Sequence, residues 1–282
     1  MPELPEVEIT ARRLDEALRG MEIESALAPG VNALRTFEPS LHTVDGRAFL
    51  GVRRRGKHLV LDLAGDLSVL VHLMNAGRLQ LFDTRAGVRD RTSRLLLRLP
   101  EQRELRLREF GTRQSAWVKL LRADDLEAEE ALATLGPEAW PQPPEDLGAR
   151  LAVPRPLHAL LRDQHVIAGI GRSWVDEILW TARLSPFKRG DDLDEEEAAA
   201  LREAIATVLD GALEHYERVV ALPIPDKLPM PLQVHRHQGE PCPRCDATLE
   251  AVYYEDYVMS YCPAEQTGGR VLKDRRLSRL LK

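Results

Sequence analysis

The chain has 282 residues, 44% of them hydrophobic and 30% charged, with a formal net charge of −6. That length suits one large domain or two ordinary ones. No apolar run approaches the ~20 residues a bilayer span needs, and Leu, Val, Ile and Ala recur too regularly for a disordered chain. The acidic sum argues against a nucleic-acid binder, although a basic footprint can be local, and three cysteines are too few for a disulfide scaffold. The opening MPELPEVE lacks the basic start and apolar stretch of a secretion signal, so a soluble, cytoplasmic protein is expected. With no heptad or exposed apolar stripe, a monomer is expected.

The spacing predicts a helix over residues 3–19, with Val7, Ala11, Leu14 and Leu18 on one face and Gly20 as its stop. Short alternating runs follow at 22–28, 46–52, 58–63, 67–73, 78–82, 93–99, 103–108 and 115–121, with Ala64-Gly65-Asp66 as a hairpin signal between two of them. Such a series suggests a β-sandwich or barrel. Residues 123–149 hold eight acids, four prolines and no Lys or Arg, which marks a linker. The texture then turns helical, at 155–167, 173–184 and 193–221. In the last of these, Leu201, Ile205, Val208 and Ala212 share a face and Asp194 to Glu197 suit the helix dipole. A proline-punctuated loop, 222–231, precedes a cysteine-bearing segment and a basic tail, RVLKDRRLSRLLK. The expected fold class is α+β, with an N-terminal β-sandwich flanked by helices. The division is 1–122 sandwich, 123–149 linker, 150–231 helical, and 232–282 cysteine hairpin and tail.

Charge is uneven. Arg53-Arg54-Arg55-Gly56-Lys57 and the tail are basic, while acids gather in the linker and at the start of the long helix. This pattern is compatible with a basic cleft on an acidic molecule, but on its own it favours ordinary solvated faces.

Chemistry has three candidate places. If the initiator Met is removed, Pro2 presents a terminal secondary amine whose pKa of roughly 8 leaves a useful neutral fraction at neutral pH. Amines attack carbonyl-level carbons to form Schiff bases, and Glu3 and Glu6 offer carboxyl groups to move protons. Proline and acids are also what any helix start favours. Second, Gly169-Ile170-Gly171 joins two helices; a backbone turn leading into the helix near Arg172 suits a phosphate or DNA docking, or is simply a tight helix corner. Third, Cys242-Pro243-Arg244-Cys245, with sixteen residues between Cys245 and Cys262, is a zinc-knuckle pattern. Its fourth ligand is open among Glu265, which stands where a further Cys is expected, His235 and His237. A finger packed on its tyrosines without metal is the other reading.

In this order, PELPEVE, GKHLVLDL, DQHVIAGIGRSWVDEIL and the cysteine hairpin resemble the formamidopyrimidine-DNA glycosylase and endonuclease VIII family, over nearly the whole chain. The resemblance implies a β-sandwich, a helix–two-turn–helix domain, a structural zinc finger, and damaged double-stranded DNA running between the domains. It implies Pro2 as nucleophile at the sugar C1′, Glu3 as proton shuttle, and Lys57 on the phosphate beside the lesion. The damaged base must be flipped from the stack and the hole filled; Arg108 and Phe110 match the family's loop for this. Met74 stands one position early and Asn75 where the family Met would be, so either is a candidate. Gly169 and Gly171 match the DNA-binding turn, but Arg172 replaces an Asn after it, and Tyr257 aligns with the family's finger arginine. A single zinc ion on Cys242, Cys245, Cys262 and Glu265 is implied, the last departing from the family's Cys. Arg275, Arg276 and Arg279 in the tail are candidates to replace lost phosphate contacts.

The expected function is a bifunctional glycosylase and abasic-site lyase of base excision repair, cytoplasmic and nucleoid-associated, with β- and β,δ-elimination both open. The alternative is a family member that binds abasic or distorted DNA with little or no turnover. A zinc-hairpin interaction protein without a DNA role is a third, supported only by the net acidity.

Overall fold

The computed structural model describes residues 2–30, 32–87, 90–111, 113–254 and 257–272. Its contacts divide the chain into two units, Met1–Thr134 with Leu213–Pro229, and Leu135–Ala212 with Met230–Lys282. No helix among the described residues is long and apolar enough to cross a membrane.

The first unit opens with helix α1 (Leu4–Leu18). Pro5 sits in its first turn, where a missing N–H is harmless, and Val7, Ala11, Leu14 and Leu18 are all buried. Eight strands follow: β1 (Ser25–Leu27), β2 (Phe49–Arg55), β3 (His58–Leu63), β4 (Leu67–His72), β5 (Gly77–Phe82), β6 (Ser93–Arg98), β7 (Glu104–Glu109) and β8 (Trp117–Arg122). They form two antiparallel four-stranded sheets, ordered β1-β6-β7-β5 and β2-β3-β4-β8. Apolar residues of both sheets and of α1 share one core, from Leu61, Val69 and Val118 to Leu79, Leu95 and Leu107. This is the sandwich that the alternation predicts. The second strand lies later than the sequence suggests, at 49–55 rather than 46–52. Gly46, at φ +74°, belongs to the preceding turn, and the arginines prolong the strand because Arg53 and Arg54 pair with Asp62 and Glu8. A single helical turn, α2 (Glu130–Ala133), comes after the last strand.

The second unit holds α3 (Leu147–Leu151), α4 (Leu157–Leu160), α5 (Trp174–Thr181) and the first part of α6 (Glu195–Val219), whose residues from Leu213 onward count with the first unit. Strands β9 (Glu250–Tyr253) and β10 (Val258–Tyr261) form an antiparallel hairpin, closed by α7 (Pro263–Thr267). The predicted helix at 155–167 is only the single turn of α4. Pro154 and Pro156 delay its start, and beyond Leu161 the chain is taken over by side-chain-wired turns: Asp163 Oδ1 accepts the His165 N–H at 3.2 Å. The 123–149 segment holds α2 and the start of α3.

Candidate functional site

At the start of α1, Glu3 is the cap residue and Glu6 stands three positions on, a capping box built with carboxylates. Glu3 is 1% exposed and Glu6 4%. The Glu3 N–H donates to Glu6 Oε2 at 2.8 Å. The other oxygen, Oε1, accepts from the Tyr216 hydroxyl at 2.7 Å. Burial, with the charges of Glu6 and Glu3, raises the Tyr216 pKa above its ordinary value, so this hydroxyl stays a donor. Pro2, half-buried, immediately precedes the buried carboxyl of Glu3. Sequence reasoning missed Tyr216, which lies 210 positions from Glu6.

Lys57 sits beside Gly56, at φ +58°, in the two-residue turn between β2 and β3. Glycine at such a turn accommodates the left-handed backbone. Arg54 ties this turn to α1: its Nε meets Glu8 Oε2 at 2.9 Å and its Nη1 donates to the Gly56 carbonyl at 3.1 Å. The arginine run is therefore partly internal wiring rather than a wholly solvated basic patch. Lys57 is itself only 7% exposed. Close by, His58, His72 and Trp117 form a ring cluster, with His72 stacked on Trp117 at 5.7 Å.

Burial, then the positive charges of His58, Lys57 and Arg35, push the His72 pKa down to about 3. A neutral His72 is what the fold uses, since its Nδ1 accepts the Met74 N–H at 3.0 Å. The unfolded chain binds this proton near pH 6.5, so the stability contributed by neutral His72 is complete above that pH and is lost as pH falls toward 3. The loss reaches at most about 2 kcal/mol at pH 5. Urea denaturation should show the native chain losing more stability between pH 7.5 and 5 than His72→Gln, whose amide oxygen can accept the same N–H. Equal losses in the two proteins would refute this assignment.

Met74 and Asn75 occupy the turn after β4. Met74 is half-buried with φ +49°, and Asn75 is exposed. The turn is tight because the Gly77 N–H donates to the Leu73 carbonyl at 2.8 Å; a Cβ at Gly77 would lie 2.4 Å from that oxygen. Arg108 and Phe110 lie at the end of β7 and just past it, with the guanidinium 4.7 Å from the Phe110 ring centroid. The loop beyond is held by Glu109, fully buried, which accepts the Ala116 N–H at 2.8 Å. Arg108 also approaches Gln80 Oε1 (3.3 Å) and Asp226 Oδ1 (3.6 Å). The proline-rich loop is thus pinned within the first unit, where Gln80 Nε2 also donates to Asp226 Oδ1 at 3.1 Å. Sequence reasoning missed Gln80, Glu109 and Asp226.

In the second unit, Gly169 and Gly171 are buried in the turn before α5. Gly169 has φ +107°, a conformation that needs glycine. Gln164 builds the turn: its Oε1 accepts the Gly169 N–H at 3.0 Å and its Nε2 donates to the Ile170 carbonyl at 2.9 Å. Arg172 follows, half-buried, with its guanidinium 5.2 Å from the Tyr257 ring centroid; Arg162 lies over the same ring at 4.4 Å. Tyr257 also stacks on Tyr254 at 4.3 Å. The Tyr257 ring therefore carries two guanidinium groups. Arg275, Arg276 and Arg279 fall outside the described residues.

Cys242, Cys245 and Cys262 come together, with all three sulfurs within 4.8 Å of one another and Cys245 and Cys262 3.5 Å apart. Zinc bound tetrahedrally at ~2.3 Å sets sulfurs about 3.8 Å apart, so the cluster fits three corners of such a site. Burial pushes the Cys262 thiol up to about 11. Burial also acts upward on Cys242, but hydrogen bonds from the Arg244 N–H, the Trp180 side chain, the Cys245 N–H and Cys262 outweigh it and hold the thiol below its usual range. The structure does not bring Glu265 into this cluster. Its carboxylate lies 2.9 Å from Arg244 and 3.1 Å from Arg183, held there by two guanidinium cations. His235 is also engaged elsewhere, its Nδ1 2.6 Å from Asp176 Oδ2, and His237 faces Glu240 at 2.9 Å. Behind the cluster, Glu177 accepts the N–H groups of Gln233, Val234 and His235 at 3.0, 2.9 and 2.8 Å. Glu177 of α5 therefore holds the segment leading to the cysteines, a role with no local signal in the sequence.

Residues 1–114 match the formamidopyrimidine-DNA glycosylase N-terminal domain, and residues 141–222 match the H2TH domain of the same proteins. A formamidopyrimidine-DNA glycosylase of Moorella thermoacetica is 34% identical over 263 residues, covering 89% of this chain and 94% of the relative. One from Thermus thermophilus is 34% identical over 283 residues, covering 95% of this chain and 100% of the relative. Among solved structures, a Lactococcus lactis Fpg complexed with DNA containing N7-benzyl-Fapy-dG is similar, with a TM-score of 0.84 and 26% identity over 94% of this chain and 100% of that one. Likeness of sequence and of fold, both running nearly end to end, makes this chain a member of the formamidopyrimidine-DNA glycosylase family.

Proposed function

We propose that this chain is a DNA glycosylase of base excision repair that also cleaves the strand at the resulting abasic site, acting on double-stranded DNA with a damaged base. The observation that carries the reading is the start of α1, where Pro2 precedes a carboxyl of Glu3 that is 1% exposed and whose backbone is fixed by Glu6. A buried carboxyl beside an amine is the pairing that Schiff-base chemistry at a sugar needs. The relatives' names and the DNA complex of the Lactococcus lactis protein support the same class.

With the initiator Met removed, the neutral Pro2 nitrogen attacks C1′ and the bond from C1′ to the base breaks, the base leaving with a proton. Glu3 delivers a proton to the sugar ring oxygen as the ring opens, giving an iminium between Pro2 and C1′. The iminium acidifies the C2′ proton; its removal expels the 3′ phosphate, which is β-elimination. Lys57 holds the phosphate beside the damaged nucleotide. The Met74–Asn75 turn with Arg108 and Phe110 fills the vacated stack, and the Gly169–Gly171 turn with Arg172 holds a second stretch of backbone.

Borohydride reduction should trap a covalent complex between abasic-site DNA and protein whose first residue, verified by mass spectrometry, is Pro2. Binding without an adduct or cleavage on any lesion would instead support the non-catalytic reading. The altered Arg172 and Tyr257 pair motivates keeping that reading.

Cys242, Cys245 and Cys262 would hold one structural zinc, which supplies cross-linking of the hairpin rather than chemistry. Elemental analysis should find about one zinc per chain in the native protein. Cys242→Ser should lose it, together with several degrees of melting temperature. Full metal occupancy in Cys242→Ser would exclude the three-cysteine site.

A further inference from the structure

We propose that Tyr216 is a positioning residue of the N-terminal site, acting through Glu6 on the backbone of Glu3 and thereby on the Pro2 amine. The inference rests on the lyase reading above and assigns it a residue that neither the sequence motifs nor the resemblance point to.

Both oxygens of the Glu6 carboxylate have a donor, the Glu3 N–H on one and the Tyr216 hydroxyl on the other. Glu6 is 4% exposed and Tyr216 fully buried, so water does not readily replace either donor. Deleting the hydroxyl takes a donor away from a buried carboxylate oxygen. The carboxylate then reorients, and the peptide group it holds is the one joining Pro2 to Glu3. Attack on C1′ depends on nitrogen placement: a misplacement of about 1 Å costs roughly 100-fold in rate.

The hydroxyl is separable from the docking of α6 on α1. Arg12 Nη1 meets Glu217 Oε1 at 2.7 Å. Arg13 donates to the carbonyls of Glu217 and Val220 at 2.8 and 2.9 Å and pairs with the Glu217 carboxylate at 2.7 Å. These contacts keep the two helices together without Tyr216 Oη. The Tyr216 ring, filling its place in the core, needs no hydroxyl to do so. The raised pKa of the phenol keeps the hydroxyl protonated throughout the working pH range.

The test compares the native chain with Tyr216→Phe, Glu6→Gln, their double variant and Arg13→Ala. Each is assayed for borohydride trapping rate on preformed abasic-site DNA, affinity for that DNA, and melting temperature. Tyr216→Phe should trap about 10- to 100-fold more slowly, with DNA affinity changed by less than about twofold. Glu6→Gln can accept from only one of the two donors, keeps the tyrosine in place, and should show the same defect; it carries the test if the phenylalanine variant does not fold. The double variant should be no slower than the slower single, as expected for two links of one chain of contacts. Arg13→Ala loosens the same helix pair without touching Glu6 and should lose melting temperature but trap within about threefold of native. Native-like trapping by Tyr216→Phe, additive losses in the double variant, or an equal defect in Arg13→Ala would each overturn the inference. If the native chain itself forms no adduct, the lyase reading fails, and the positioning role falls with it.

Discussion

Glu3→Gln should abolish base excision while some cleavage of preformed abasic sites survives. A glutamine keeps the shape of the side chain but cannot deliver a proton to the sugar ring, and general acid catalysis contributes roughly 10²- to 10⁴-fold. Abasic DNA already carries an openable sugar, so its cleavage depends less on that proton. Pro2→Gly should weaken excision less severely, because glycine still presents a primary amine of similar basicity. A retained initiator Met should abolish trapping altogether, since it converts the amine into an amide. Single-turnover excision and trapping on the same duplexes check all three. Normal excision by Glu3→Gln would remove the basis of the proposed chemistry.

Glu177→Ala and Asp176→Ala should each lower the melting temperature of the chain sharply, by about 6 to 20 °C. Glu177 is 3% exposed and takes three backbone N–H groups. Asp176 is 1% exposed and takes the Ser260 N–H at 2.9 Å, with His235 at 2.6 Å and His158 at 3.2 Å. Removing one partner from a buried charged network costs roughly 3–5 kcal/mol, and each kcal/mol moves the transition by about 2–4 °C in a chain of this size. Glu145→Ala, at an exposed position, should shift it by no more than about 2 °C. Calorimetry distinguishes these outcomes, and an Asp176→Ala transition indistinguishable from Glu145→Ala would contradict the account. The same variants should also loosen the cysteine cluster, because the N–H groups that Glu177 holds belong to the segment leading into Cys242.

The helical turn at 157–160 shows where local spacing misleads. Its apolar periodicity continues to Ile167, but Asp163 and Gln164 offer the backbone side-chain partners that a helix would deny it. The arginine run shows the same for charge: four cations in five residues suggest a basic surface, yet Arg53 and Arg54 have acidic partners in the folded chain. Spacing leaves the fourth ligand open and the family resemblance puts Glu265 with the cysteines, but its neighbours Arg183 and Arg244 decide otherwise.

What the chain carries in its linear order is whatever repeats at the period of its own backbone or clusters within a few residues. The eight strands, the face of α1, the terminal Pro2-Glu3 pair, the glycine turn and the cysteine knuckle are of that kind, because alternation, helical spacing and turn chemistry are local. The three-dimensional fold alone chose the partners of the buried polar groups: Tyr216 for Glu6, the cysteine segment for Glu177, two arginines for Glu265. Those choices are made by desolvation, since a carboxylate removed from water must take whichever donors the packing brings within about 3 Å, and packing at that range is set by residues remote in the sequence.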